Sequence, residues 1–169
     1  VIEGGRYVLD GETDELVVLL SVAGIATTLA PEIDWAPAIV KCARKMGTVG
    51  DKLAGALKKL IKANKSDEMV DVFTDVKKLS EAGSPGGAAR WLRFADEPAD
   101  LKPLAAFVSR GPGAAAALHI TGGAGADLIK RAAKVGADEA EAAARLVQRA
   151  AKKGRAGAEF LKGPAAKVL

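Results

Sequence analysis

The chain is predicted to be all-α: a compact bundle of about eight to ten short helices around an apolar helix at 14–30. Three observations carry that prediction. Of the 169 residues, 49% are apolar but only 4% aromatic, and alanine supplies much of the difference. Alanine is the best helix former and a poor strand former. Runs of Val, Ile, Thr and Tyr with period-two alternation, which a half-buried strand requires, are missing. Glycine and proline recur at helix-length intervals, where they stop and start helices.

The first element is the uncharged run LVVLLSVAGIATTLA at 16–30. Its fifteen residues fall short of the ~20 that a membrane span needs. Asp14 and Glu15 precede it, and Glu32 and Asp34 follow it. A fully buried central helix is the expectation; a helix that leaves the core for a bilayer is the competing one. Next, Pro37 suits a first helical turn, and the helix should run through Met46 to Gly47. Thr48 followed three residues later by Asp51 reads as a variant capping box, opening a helix over about 48–64. That helix contains DKLAGALKKLIK, with Val49, Leu53, Leu57 and Leu60 on one side and lysines mostly on the other. Ser66 is the expected cap of the following helix, which carries Asp67 and Glu68 in its first turn and ends at Gly83.

From Asp75 onward three stretches look alike, beginning at Asp75, Asp100 and Asp127. Each starts with Asp and an aliphatic residue and runs to a glycine, Gly83, Gly111 or Gly136. Each then restarts as an alanine-rich helix. Stacked helical hairpins, solenoid-like, or a plain bundle both fit this spacing. The whole chain reads as one helical domain, with 1–66 as N-terminal helices and 67–169 as either helical-hairpin repeats or the rest of a plain bundle. The first residue is Val1 rather than Met, which suggests a piece of a longer chain. The segment VVLLSVAGIATTLAPEIDWAPAIVKCARKMG at 17–47, followed by short alanine–glycine helices, is similar in composition to bacterial envelope and secreted proteins. That likeness implies a bacterial protein of the envelope and transfers no functional residue; the lone cysteine fits a reducing compartment such as the cytoplasm, or equally the periplasm.

Charge is segregated. Residues 1–40 hold one basic and seven acidic side chains, a net of −6, and 41–62 hold seven basic and one acidic, a net of +6. Residues 63–127 come to −2 and 128–169 to +6, which reproduces the overall +4. The basic face of DKLAGALKKLIK suits an anionic membrane, a partner protein, or plain solvent. Core packing of its apolar face is preferred, since Trp and Phe, common in interfacial helices, are absent from it.

Chemistry-bearing residues are sparse. One cysteine, Cys42, allows no intrachain disulfide and no cysteine-based zinc site, and it reads as a small buried residue. The single histidine, His119, sits in an alanine-rich helix and reads as structural. GTVGDK at 47–52 and TGGAGAD at 121–127 lack the strand–turn–helix setting of phosphate loops and read as helix stops and starts. Acidic pairs such as Asp138/Glu139 mark helix starts. Trp91 and Phe94, flanked by Arg90 and Arg93, share a helical face and are expected to pack inward. Nucleic acid would bind weakly at most, because the basic C-terminal segment has almost no aromatic stacking partners. No cofactor is expected and no catalytic residue is assigned.

The reading the residues favour is a non-catalytic interaction or scaffold module that binds a protein partner or an acidic surface. Its expected contacts are Lys58, Lys59 and Lys62 in one cluster and Arg145, Arg149, Lys152 and Lys153 in another. A second reading is a membrane-active domain using 16–30 and 48–64 as a releasable hairpin. A third is an enzyme working through Asp, Glu, Lys, Arg or Ser at a cleft the sequence does not reveal.

Overall fold

Glycine and alanine punctuation becomes architecture in a computed structural model that describes residues 14–22 and 31–163. Eight α-helices and two single-turn 3-10 helices follow one another, with no strand among the described residues. In chain order they are α1 (Glu15–Leu19), α2 (Ala36–Lys45), α3 (Asp51–Lys62) and α4 (Ser66–Trp91). The 3-10 turns Leu92–Phe94 and Pro98–Asp100 lead into α5 (Leu101–Val108). Then come α6 (Pro112–Val135), α7 (Ala137–Lys152) and α8 (Gly154–Lys162).

Asp14 caps α1 by accepting the Leu16 N–H at 3.0 Å. The helix then tightens: Ser21 and Val22 donate to Val18 and Leu19, three residues back, and regular helix stops at Leu19. The expected helix over 14–30 is therefore short in its described part, and 23–30 lie outside the described residues. Only Leu16 and Leu20, four apart, enter the core, while Val18 and Val22 are 43% and 55% exposed. The central place belongs instead to α6, which packs against α4, α5, α7 and α8.

Helix α2 buries Ala36, Ile39, Val40 and Ala43, a stripe at i, i+3, i+4 and i+7. Cys42 falls off that stripe and is exposed, which corrects the expectation of a buried thiol. The helix ends in a Schellman arrangement. Gly47 takes φ +72°, and Thr48 and Gly47 return their N–H groups to Ala43 and Arg44. The Thr48–Asp51 capping box does not form. The Thr48 hydroxyl is spent on the Ala43 carbonyl at 3.0 Å, Gly50 caps α3, and Asp51 pairs with Arg44 at 2.9 Å.

Helix α3 is the stretch DKLAGALKKLIK from end to end. Leu53 and Leu57 are buried, with Leu60 and Ile61 packed at the margin. Burial of each leucine is worth roughly 1.5–3 kcal/mol, so the helix is held by its apolar stripe. Asn64, at φ +51°, closes it in a second Schellman arrangement, with Lys65 and Asn64 donating to Leu60 and Ile61. Ser66 is the first residue of α4 rather than its cap; Lys65 holds the cap position, and its ammonium meets Glu68 at 2.6 Å.

Both long helices are broken. In α4 the backbone leaves helical values at Gly83 and Ser84, where Ser84 takes φ +72°. Ser84 Oγ accepts the Gly87 N–H, and Pro85 opens the second segment. The Trp91 indole folds back over Gly83, so a Cβ there would lie 2.2 Å from the ring. In α6 the break is at Gly122, φ +57°. The three aspartates that open the repeated stretches take unequal positions: Asp75 and Asp127 lie inside helices, whereas Asp100 precedes one. The glycines that end those stretches do fall at helix breaks or ends.

One contiguous cluster of buried apolar side chains runs from Leu16 to Leu161. Much of it is alanine, which brings helices close. A Cβ on Gly157 of α8 would lie 1.9 Å from the Ala150 carbonyl oxygen of α7, and one on Gly125 would strike Thr121 and Val147.

Candidate cationic groove

Helices α6 and α7 are joined by Gly136 alone and pack along each other. Between the first segment of α6 and the last turns of α7 lies a surface groove of about 710 Å³. Its floor is Gly113, Ala116, Ala117 and Ile120, one face of α6 at i, i+3, i+4 and i+7. Its wall is Arg145, Gln148, Arg149 and Lys152, the same spacing on α7, with Ala151 beside them. Both faces exist because the opposite sides of these helices, including Ala114, Leu118, Ala143, Ala144 and Val147, are in the core.

Three cations line this groove and no acid does. Arg145 is partly engaged, its Nε 3.0 Å from Glu141. The Glu141 carboxylate also meets Arg110 at 2.6 Å, and Arg110 first, then Arg145, hold it below the ordinary glutamate range. Arg149 and Lys152 are exposed and enter no ion pair among the described residues. Both lie near the C-terminus of α7, where the helix dipole favours cations even without a ligand. Lys153 is exposed at the C-cap, beyond the groove lining.

The other expected cluster has a different fate. Lys58 Nζ lies 3.3 Å from Glu15, and Lys62 also pairs with Glu15. Those contacts, Lys62 first, draw the Glu15 carboxyl below its usual range. They tie α1 to α3 and leave Lys59 as the exposed member without an ion pair among the described residues.

A second groove, about 890 Å³, brings Asp96, Glu97, Asp100 and Asp127 to Lys130 and Lys134. Here most of the cations are matched, although Arg131, in the same lining, enters no ion pair among the described residues and its Nε only donates to the Asp127 carbonyl at 3.4 Å. Lys130 Nζ donates to the Phe94 carbonyl at 2.6 Å and lies 3.2 Å from Asp127 and 3.8 Å from Asp100. Asp100 in turn accepts the N–H groups of Asp96 and Glu97. Lys134 pairs with Glu97 at 3.1 Å, which raises its affinity for the proton. This network fastens the 92–100 segment to α6. Lys130 stood among the basic residues of the C-terminal segment in the sequence, and the structure turns it inward.

A smaller recess of about 350 Å³ lies at the α4 break, lined by Ser84, Gly87, Arg90, Trp91 and His119. Ala116 lines this recess and the cationic groove alike. His119 is exposed, one turn along α6 from Ala115, which lines the same recess. Trp91 is buried as expected, and Phe94 is half-buried beneath the Arg93 guanidinium at 4.8 Å. No group of three or more His, Cys, Asp or Glu is placed to hold a metal ion among the described residues, and none of the described helices is long and apolar enough to cross a membrane. No protein-family model matches the chain, and neither a curated protein nor a solved structure resembles it significantly.

Proposed function

We propose that the chain is a non-catalytic helical interaction module whose contact surface is the groove between α6 and α7, and whose partner is acidic. The observation that supports this reading is the pairing pattern. Most lysines and arginines around the other grooves are already matched to carboxylates, whereas the α6–α7 groove presents Arg149 and Lys152 over an apolar floor with no acid in its lining. A cationic rim steers an acidic partner and sets its register, and the apolar floor supplies the desolvated contact.

The reading is tested with a flexible acidic probe, fluorescent polyglutamate, titrated at low and high salt. The double variant Arg149→Glu/Lys152→Glu is expected to weaken binding by about tenfold or more, since each reversal adds repulsion as well as removing attraction. The triple variant Lys58→Glu/Lys59→Glu/Lys62→Glu is the comparison. If it weakens binding and the α7 variant does not, the contact surface belongs to α3.

A further inference from the structure

We infer that the occupant of the α6–α7 groove is an acidic amphipathic helix from a partner protein, laid along the groove with its small-residue-facing side down; this rests on the interaction reading above. Floor and wall each repeat at i, i+3, i+4 and i+7, from Gly113 to Ile120 and from Arg145 to Lys152. Each face is therefore two helical turns long, about 10 Å. A third helix presents side chains at that same period, so its ridges seat between those of α6 and α7. An extended segment fits poorly. Its backbone N–H and C=O groups need partners, and two helix flanks have already spent theirs internally.

The floor sets the size of the anchor. Gly113 and Ala116 leave space at one end, where nothing lies within 4 Å of a Cβ placed on Gly113. Ile120, 46% exposed, offers an apolar contact at the other. One leucine-sized side chain of the partner therefore sits over Gly113 and Ala116, and a second, two turns along, meets Ile120. Carboxylates on the partner's flank then face Arg145, Arg149 and Lys152. Gln148, the neutral polar group between them, can donate to or accept from the same flank.

The test uses three synthetic peptides of identical composition, rich in Glu, Leu and Ala. One places Leu at i, i+3, i+4 and i+7 with Glu on the flank. One scrambles that order, and one is the amphipathic order with a central Ala exchanged in position for a terminal Pro. The amphipathic peptide is expected to bind at least about tenfold more tightly than either of the others. It should gain helical circular dichroism on binding, and lose affinity to Ala116→Trp, which fills the floor from an exposed position. Equal binding of all three peptides would overturn the helix inference while leaving the acidic-partner reading standing. Binding to anionic vesicles with none to any peptide would overturn the inference in favour of a lipid surface. No binding to peptides or to polyglutamate would overturn both.

Discussion

Two glycines with opposite surroundings show how the packing decides the sign of a substitution. Gly55 is inside α3 and has nothing within 4 Å of a Cβ. Gly55→Ala is therefore expected to stabilise by up to about 1 kcal/mol, the difference in helix propensity. Gly157 is also helical, but its Cβ would meet the Ala150 backbone, which cannot rotate away. The same propensity gain is outweighed by an overpacking cost of about 1–3 kcal/mol, so Gly157→Ala should lower the thermal midpoint. A calorimetric pair of the two variants checks both signs at once. Lys130→Met removes the ammonium from Asp100 and from the Phe94 carbonyl, and should cost about 2–3 kcal/mol in urea unfolding. A change below about 0.5 kcal/mol would mean that the 92–100 segment is held by its apolar contacts alone. Asp75 is buried beside Lys78, and burial pushes its carboxyl above the ordinary aspartate range. A raised carboxyl means that the folded state holds the proton longer, so its contribution to stability is full at low pH and is lost as pH rises through the folded value. Asp75→Asn should then stabilise on the order of 1 kcal/mol at pH 7 and give no gain near pH 3, where both states are protonated.

At the scale of the element, one side chain both caps α1 and ties it to α2, beside the Glu15 pairs to α3 and the burial of Leu16 and Leu20. Asp14 caps the helix through Oδ1 and meets Arg44 Nε at 2.7 Å through Oδ2. Burial alone would raise this carboxyl, but the Arg44 hydrogen bond and charge prevail and hold it below the usual range. The sign is opposite to that of Asp75: the stabilisation is present above the unfolded value and is lost as pH falls through the folded one. Asp14→Asn preserves a good cap and deletes the charge, so it should flatten the acid limb of the stability curve below about pH 4; Asp14→Ala should also lose about 1 kcal/mol of capping at neutral pH. The ends of elements were legible in the sequence where glycine marks them. Gly47, Gly83, Gly111 and Gly136 close or precede helices, and GTVGDK and TGGAGAD are stops and starts; φ is +72° at Gly47 and +57° at Gly122, values that glycine takes without the steric cost a Cβ brings. Starts were less legible. Thr48 and Ser66 have capping side chains, but a C-terminal Schellman turn claimed the first and Lys65 displaced the second. The exposure of Cys42 was available from the stripe Ala36, Ile39, Val40 and Ala43, which a count at helical period reveals.

For the whole molecule, the legible part of the site is the cationic spacing on α7. Arg145, Arg149 and Lys152 fall on one helical face by their numbers alone. Which lysines are already matched was not legible, since Glu15 is more than forty residues from Lys58 and Lys62, and Lys130 finds its carbonyl 36 residues away. Nor was the floor, because Gly113, Ala116 and Ile120 become a groove only when α7 lies beside them. The molecule also carries its own optical label. Its two tryptophans are Trp35, 37% exposed, and Trp91, 6% exposed, folded over the Gly83 break beside the recess that shares Ala116 with the groove. In a Trp35→Phe background, emission from the remaining indole reports on one crossing of α4 and α6. A helix seated over Ala116, as proposed, is expected to change the packing at the edge of that buried ring, and its occupancy would be read as a shift in colour from the protein itself, with no dye attached to either partner.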